Sequence, residues 1–244
     1  MARLSVNLNK IALLRNSRRT GVPDLLRFGR LALDAGAQGL TVHPRPDERH
    51  IRAADVPALG VLMRPRRPAL ELNIEGYPDE RLMHILNGER PEQATLVPDA
   101  PEAFTSEEGW RLDPAQIALA TPAIAAIKQL GCRVILFIDP DPSVIERVLG
   151  TGADGVEIYT GHYAAAFRDG GHMPVLERIA ATAQAAKAAG LVINAGHDLN
   201  LRNIPPLIAT VPFLAEASIG HELTADALEH GFATTVAAYA KALQ

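Results

Sequence analysis

One pattern recurs along this chain: a helical stretch, a glycine that can end it, and a short run of apolar or β-branched residues. Glycine is favoured just after a helix because it adopts the left-handed conformation without a steric penalty. Each repeat therefore predicts one helix followed by one strand. The clearest repeats contain Gly36, Gly131, Gly152 and Gly190.

Eight candidate strands alternate with helical segments. They cover residues 4–8, 39–43, 70–74, 94–97, 134–139, 156–159, 191–194 and 213–217. Apolar residues in direct succession are typical of strands buried on both faces. The alternation predicts an α/β fold, a (β/α)8 TIM barrel with extra short helices, as one domain over residues 1–244. An open doubly wound sheet is the alternative. It is disfavoured because the dinucleotide-binding fingerprint and the Walker-type phosphate loop are absent from the sequence.

The composition narrows the choice of partners and compartment. The formal net charge is −4, with both signs scattered along the chain, which argues against binding to nucleic acid or to a membrane surface. No apolar run approaches the ~18 residues of a membrane helix, and no targeting segment is visible. The single cysteine, Cys132, cannot form an internal disulfide and is interpreted as a packed thiol. We therefore expect a cytoplasmic protein.

Polar residues gather at the predicted carboxyl ends of the strands. In a barrel these ends converge on one mouth, where catalytic groups lie. His43, Glu75 and His197 follow three different strands, and imidazole and carboxyl groups are suited to proton transfer. The other candidate site residues at or beyond strand ends are Asn7, Asn9, Lys10, Arg18, Arg45, His50, Asp198, Gly220 and His221.

The charge types indicate the kind of substrate. Gly196 and Gly220 each stand beside a histidine after strands seven and eight. Exposed backbone N–H groups and a helix N-terminus at this place form the usual phosphate site of a barrel. On the opposite side, Lys10, Arg18 and Arg45 could bind a second anionic group, since guanidinium forks match phosphate. Two anion sites predict one long phosphorylated substrate or two short ones.

Three other interpretations fit the same residues. The four histidines at strand ends could form a zinc or iron site with Glu75, although their spacing matches no metal motif. Lys10 could form a Schiff base in a phosphosugar isomerase or lyase if Arg15 and Arg18 lower its pKa. A barrel that binds a phosphometabolite without catalysis is the third. It is disfavoured because a pure binder needs no set of three proton-transfer groups.

Seven segments carry a more specific signature when they are taken together in chain order. They are residues 6–18, 41–45 with 49–51, 73–75, 96–98 with Thr105, 157–161 with Tyr163, 194–197 and 219–221. In this order they resemble the pyridoxine 5′-phosphate synthase family, over nearly the whole chain. Any one segment alone would be weak, but their coincidence is specific.

The resemblance implies a (β/α)8 barrel that assembles as a homo-octamer and uses no metal or organic cofactor. It implies an enzyme that joins two small phosphorylated substrates, 3-amino-2-oxopropyl phosphate and 1-deoxy-D-xylulose 5-phosphate. Its products are pyridoxine 5′-phosphate, inorganic phosphate and water.

The resemblance also implies a role for each site residue. His43 and Glu75 would accept protons, and His197 would donate one. The substrate contacts would be Asn7 and Arg18 for the amino-ketone phosphate, Arg45, His50 and Thr105 for the deoxyxylulose phosphate, and Gly220 and His221 for the product phosphate.

Two positions depart from the family pattern. Asn9 and Lys10 stand where much of the family has Asp-His, a pair that contacts the deoxyxylulose phosphate, and they indicate an Asn-Lys variant. Asp198 stands where glycine is usual after the donor histidine. A carboxylate near a phosphate is unfavourable unless it points away or is neutralised by a cation such as Lys10. Both departures concern substrate contacts and not the fold.

Overall fold

The strands of the chain close into a parallel barrel. The computed structural model describes residues 1–99 and 108–244. Eight strands follow one another around the barrel in chain order, and the first pairs with the last. The predicted (β/α)8 architecture is therefore confirmed. The strands are β1 Arg3–Asn7, β2 Gly39–Val42, β3 Glu71–Gly76, β4 Gln93–Leu96, β5 Arg133–Ile138, β6 Gly155–Tyr159, β7 Val192–Gly196 and β8 Glu216–Ile219.

Helices surround the barrel. In the described ranges they are α1 Asn9–Asn16, α2 Leu25–Asp34, α3 Asp55–Met63, α4 Glu80–Glu89, α5 Pro114–Gln129, α6 Ile145–Thr151, α7 Gly161–Arg168, α8 Met173–Ala188, α9 Ile204–Thr210, α10 His221–His230 and α11 Phe232–Ala242. Two short 3-10 segments, Arg64–Arg66 and Pro142–Val144, adjoin α3 and α6. Within the described ranges, none of these helices has the length and apolar character of a membrane span.

The glycines that predicted the helix ends have the expected backbone conformation. Gly36, Gly131, Gly152 and Gly190 have φ values of +106°, +84°, +79° and +75°. Each lies one or two residues after the last residue of a helix, and a strand begins within three residues of it. The helix–glycine–strand interpretation is therefore confirmed at all four places.

The strands are buried on both faces, as the sequence predicts, but they are not apolar on both. Most of them alternate an apolar residue that packs against the helices with a polar residue that points into the barrel. Gln93 of β4 donates a hydrogen bond to Glu216 of β8 at 3.1 Å and accepts one from Asn194 of β7 at 3.2 Å. Because β4 is not adjacent to β7 or β8, these contacts cross the barrel interior. Only residues 134–138 of β5 are apolar without interruption.

The two faces of the strands are buried in different surroundings. The apolar faces join the helices in one continuous core, in which Leu72 and Ile74 of β3 are fully buried. Between them, Asn73 is equally buried, but its side chain accepts a hydrogen bond from Thr95 at 3.1 Å. A buried polar group costs little when it is hydrogen-bonded. The interior can therefore be polar while the outer core stabilises the fold.

The predicted start of the eighth strand was wrong. The sequence predicted residues 213–217, whereas β8 is Glu216–Ile219. Phe213 is a turn residue that packs against the edge of the core, with the Lys187 ammonium 4.1 Å from its ring centre. In the sequence pattern, its apolar side chain therefore resembles the first residue of a buried strand.

The barrel interior at β6 gives a test of this packing. A Cβ at Gly155 would lie 2.5 Å from the carbonyl oxygen of Val192 and 2.7 Å from the side chain of Ile135. We expect Gly155→Ala to lower the free energy of unfolding by about 1–3 kcal/mol, the usual cost of overpacking. Urea unfolding measures the change.

The matched control is Gly150→Ala in α6, where a Cβ would meet no atom within 4 Å. Alanine there is expected to be neutral or to stabilise by up to about 1 kcal/mol, because it is the better helix former. Equal urea midpoints for the two variants would contradict the packing argument.

Candidate active site

Two proton-transfer groups meet at the carboxyl end of the barrel. His43 directly follows β2, and Glu75 is the last residue but one of β3. Both are buried, with 7% and 8% of their surface exposed. The Nδ1 atom of His43 lies 4.0 Å from Oε2 of Glu75. The structure therefore brings together two of the three residues that the sequence predicts to be catalytic.

Hydrogen bonds made by two asparagine side chains hold Glu75 and His43 in place. The Asn7 amide, at the end of β1, donates to Glu75 Oε2 at 3.4 Å. The Asn7 side-chain oxygen accepts the Asn9 N–H at 3.0 Å, and the Asn9 side-chain oxygen accepts the His43 N–H at 3.0 Å. Asn9 therefore fixes the backbone of His43.

His197 follows β7 and lies against an aromatic wall. Its ring centre is 5.0 Å from that of Phe137 and 5.2 Å from that of Tyr159. Phe137 and Tyr159, together with Val97, form a small apolar cluster that is separate from the main core. The Thr160 hydroxyl lies 2.6 Å from the carbonyl oxygen of His197. His197 has a φ of +83°, so this contact holds the residue in an uncommon conformation.

The protonation states of the three groups follow from their burial. Burial, and then the positive charge of Arg45, holds the pKa of His43 well below its usual value. Burial also lowers the pKa of His197, against the opposing effect of the Asp198 carboxylate. Burial raises the pKa of Glu75 to about 7, although Arg45 opposes this. At neutral pH both imidazoles are uncharged, and Glu75 can hold or release a proton.

An arginine lines the pocket beside this pair. Arg45 Nη2 donates to Asp99 Oδ2 at 2.6 Å, and both residues are buried. Tyr77 and Arg81 line the same pocket together with His43. The guanidinium of Arg81 donates to the carbonyl oxygen of Pro44, the residue between His43 and Arg45.

His50 lies on the same side, in cationic surroundings. Its ring centre is 6.2 Å from that of His43, and its Nδ1 accepts the Ile51 N–H at 2.9 Å. Burial, and then the positive charges of Arg45, Arg49 and Lys10, lowers the pKa of His50 to about 4. Lys10, in the first turn of α1, is therefore close enough to act on His50.

Other predicted residues are placed differently. Gly220 immediately precedes α10, and a Cβ there would lie 3.0 Å from the Cβ of Asn7, so these two residues are close. His221 is the first residue of α10 and is exposed. Arg18 is exposed in the turn after α1, outside the group of contacting residues. Thr105 lies outside the described residues.

The sequence includes Glu157 in the family signature at residues 157–161 but gives it no role, and the structure places it in the middle of β6. Only 2% of its surface is exposed, and no described group pairs with its Oε2 atom. Burial, and then the negative charge of Glu75, raises its pKa well above the usual value. The alternation of polar residues along the strands is the signal that could have found it.

Gly196 has a different role from the predicted one. It lies within β7, and α9 begins only at Ile204, so no helix N-terminus follows it directly. A Cβ at Gly196 would lie 2.1 Å from Oε1 of Glu157. Gly196 therefore leaves room for this carboxyl group, and Gly220 is the glycine that opens a helix.

A metal site finds no supporting geometry in the described part of the chain. Within residues 1–99 and 108–244, no three His, Cys, Asp or Glu side chains are grouped as a metal site requires. Cys132 is buried, and burial raises the pKa of its thiol to about 11. Cys132 is thus a packed thiol, as predicted.

Comparison with known sequences identifies the family. The profile of the family described as "Pyridoxal phosphate biosynthesis protein PdxJ" matches residues 4–244. The chain belongs to the PdxJ family. The predicted resemblance is confirmed at this level.

Relatives named pyridoxine 5′-phosphate synthase cover the same length as this PdxJ-family chain. One from Mesorhizobium japonicum is 51% identical over 242 residues, which is 99% of this chain and 98% of the relative. One from Brucella anthropi is 49% identical over 243 residues, which is 99% of each chain. This PdxJ-family protein is therefore an enzyme of pyridoxine biosynthesis.

Solved structures with low sequence identity share the fold of this PdxJ-family chain. A chain of tryptophan synthase from M. tuberculosis has a TM-score of 0.66 at 12% identity, covering 100% of this chain and 94% of that one. A phosphoribosyl anthranilate isomerase has a TM-score of 0.57 at 12% identity, covering 100% and 98%. At this identity the likeness concerns the fold alone.

The raised pKa of Glu75 predicts a pH-dependent stability. Between its usual 4.5 and the value of about 7, the folded protein holds a proton that the unfolded chain has lost. Folding stability contributed at this position therefore falls as the pH rises through that window. We expect Glu75→Gln, which has no proton to lose, to gain stability relative to the native protein from pH 5 to pH 8. The gain is roughly 1–3 kcal/mol, since one pKa unit corresponds to about 1.4 kcal/mol.

Urea unfolding of both proteins at several pH values measures this difference. A constant difference between pH 5 and pH 8 would contradict the raised pKa of Glu75.

Proposed function

We propose that this chain is a pyridoxine 5′-phosphate synthase. It condenses 3-amino-2-oxopropyl phosphate with 1-deoxy-D-xylulose 5-phosphate, closes the pyridine ring, and releases phosphate and water. The observation that carries the proposal is the 4.0 Å contact between His43 and Glu75, two proton-transfer groups beside the buried cation Arg45. The relatives at about half identity that bear this enzyme's name support it.

The reaction needs groups that move protons in both directions. An amine condenses with a ketone, phosphate leaves, water adds and departs, and a ring closes, and each step moves a proton. A general acid or base works best when its pKa is near the working pH. Glu75, with its pKa of about 7, meets this condition. His43 is neutral in the free enzyme and can accept a proton, so these two residues act as the acceptors.

His197 acts as the proton donor once substrate is bound. In the free enzyme, burial lowers the pKa of its imidazole. A phosphate dianion that enters the mouth favours the protonated form of a nearby imidazole, because opposite charges attract. The bound substrates therefore raise the pKa of His197 toward the range in which it can donate.

The phosphates bind at three groups of residues. Gly220 directly precedes α10, where unpaired helix N–H groups favour an anion, and together with His221 it binds the product phosphate. The amino-ketone phosphate is bound by Asn7 and Arg18. The deoxyxylulose phosphate is bound by Arg45, His50 and Thr105.

The Asn-Lys pair adapts the place where the deoxyxylulose phosphate binds. The Asn9 side chain accepts the His43 N–H, a bond that an aspartate could also accept. Lys10 adds a permanent cation beside His50, which compensates for the imidazole found in much of the family. The pair therefore retains phosphate binding, with a different charge balance.

The donor role of His197 is tested by removing its imidazole. We expect His197→Ala to remain folded and to lose about 10²–10⁴-fold in kcat, the usual contribution of general acid–base catalysis. The assay supplies both substrates and measures pyridoxine 5′-phosphate. The matched control is His84→Ala on the exposed face of α4, which should retain full activity.

Two outcomes would contradict the proposal. The native protein would form no product under conditions in which a reference synthase is active. Alternatively, borohydride would trap a substrate adduct on Lys10, which favours the isomerase or lyase mechanism.

A further inference from the structure

A buried arginine that the proposed chemistry does not use ties α1 to the loop between β2 and α3. Arg15 Nη1 and Nη2 donate to the two carboxylate oxygens of Asp55 at 2.6 and 2.8 Å. Nη2 also donates to the carbonyl oxygen of His50 at 3.1 Å. Only 7% of the Arg15 surface is exposed. The sequence offered Arg15 as a cation that acts on Lys10, but its guanidinium is bound to Asp55.

The next residue of α1 completes this attachment. Asn16 Nδ2 lies 3.2, 3.1 and 2.8 Å from the carbonyl oxygens of Glu48, Arg49 and His50. Arg15 Nε donates to the Asn16 side-chain oxygen at 3.1 Å, so each residue orients the other. Two adjacent side chains thus contact three consecutive carbonyl groups of one loop.

The residue under the strongest constraint is His50. Its carbonyl oxygen accepts from both Arg15 and Asn16, and its ring Nδ1 accepts the N–H of Ile51, which is fully buried. Because Nδ1 is an acceptor, the neutral ring carries its proton on Nε2. The low pKa of His50 keeps the ring neutral at working pH. His50 is therefore an oriented N–H donor and not a proton-transfer group.

We propose that Arg15, together with Asn16, is a positioning residue for the sugar phosphate. It holds the segment 48–55 so that the Nε2–H of His50 faces the phosphate of the deoxyxylulose substrate. The identity of that phosphate rests on the proposed function. Because α1 also carries Lys10, the same attachment sets the distance between the Lys10 ammonium and His50.

Lysine cannot replace arginine in this role. The planar guanidinium makes a two-pronged bond to Asp55 and a third bond, in another direction, to the His50 carbonyl. An ammonium on a flexible stem keeps the charge, and hence the ion pair, but not this fixed geometry. Arg15→Lys therefore separates the positioning role from the charge.

The kinetic test compares Arg15→Lys with the native protein. We expect the KM for 1-deoxy-D-xylulose 5-phosphate to rise about tenfold, which is a change of about 1.4 kcal/mol in binding. The KM for the amino-ketone phosphate and kcat should stay within about twofold. The matched control is Arg66→Lys after α3, whose ion pair with Asp34 is half-exposed at 3.5 Å and should leave all three constants unchanged.

A role in stability alone would lower the unfolding temperature without changing one KM selectively. An unchanged KM for the sugar phosphate, or an equal rise in both KM values, would overturn the inference. If Arg15→Lys does not fold, Asn16→Ala is the second variant, because it removes the Asn16 bonds to the carbonyl oxygens of Glu48, Arg49 and His50. The same selective rise in KM is expected of it.

A second measurement needs no activity. Hydrogen exchange of residues 48–55 should be faster in Arg15→Lys than in the native protein and unchanged in Arg66→Lys. Unchanged exchange in Arg15→Lys would overturn the attachment that the inference needs.

Failure of the proposed function is distinguishable from failure of this inference. If the native protein forms no pyridoxine 5′-phosphate, the proposed function fails, and inorganic phosphate becomes the probe. Calorimetry should then show weaker phosphate binding by Arg15→Lys. Equal affinity for phosphate in both proteins would overturn the positioning role.

Discussion

The polar interior of this barrel depends on carboxyl groups that are buried inside it. Glu75, Glu157 and Glu216 line the interior from the mouth to the amino-terminal end, and burial raises the pKa of each. Removing a carboxylate from water costs several kcal/mol unless it is paired, so such a group keeps its proton instead. The barrel interior therefore contains protonated carboxyl groups at positions where most TIM barrels have branched apolar side chains.

Many polar groups of this interior satisfy one another, although Glu157 Oε2 and Asn194 Oδ1 have no partner among the described residues. Gln93 contacts Glu216 and Asn194 across the barrel and Arg133 of the neighbouring strand β5, and Arg3 and Arg133 both pair with Glu71 at the amino-terminal end. The apolar core lies outside the strands, between them and the helices. One face of the eight strands thus packs in the apolar core that stabilises the fold, and the other face carries the polar groups of the interior. A residue's position in the alternation decides on which face it lies.

The sequence predicts much of this arrangement because its signals are local. A glycine after a helix fixes the order of elements, and a polar residue at a strand end fixes which side chains reach the mouth, as for His43 and Glu75. Glu157 received no role from the sequence because it lies within a strand, where only the alternation marks it as an interior group. The role of Arg15 was not predictable, since its partner Asp55 lies forty residues away. A local sequence pattern carries no information on contacts between residues so far apart in the chain. For the same reason it did not predict that Arg18 and His221 are exposed.

The apolar cluster of Val97, Phe137 and Tyr159 gives the mouth two unlike walls. The side formed by β1 to β3 presents amide, imidazole and carboxyl groups, whereas Val97, Phe137 and Tyr159, at or near the ends of β4 to β6, present hydrocarbon and aromatic rings. Under the proposed function, the reactants enter as hydrated open chains and leave as a flat aromatic ring. Each water lost on the way makes the substrate better matched to the aromatic wall. Under the proposed function, the apolar side of the mouth therefore suits the dehydrated ring better than the hydrated reactants.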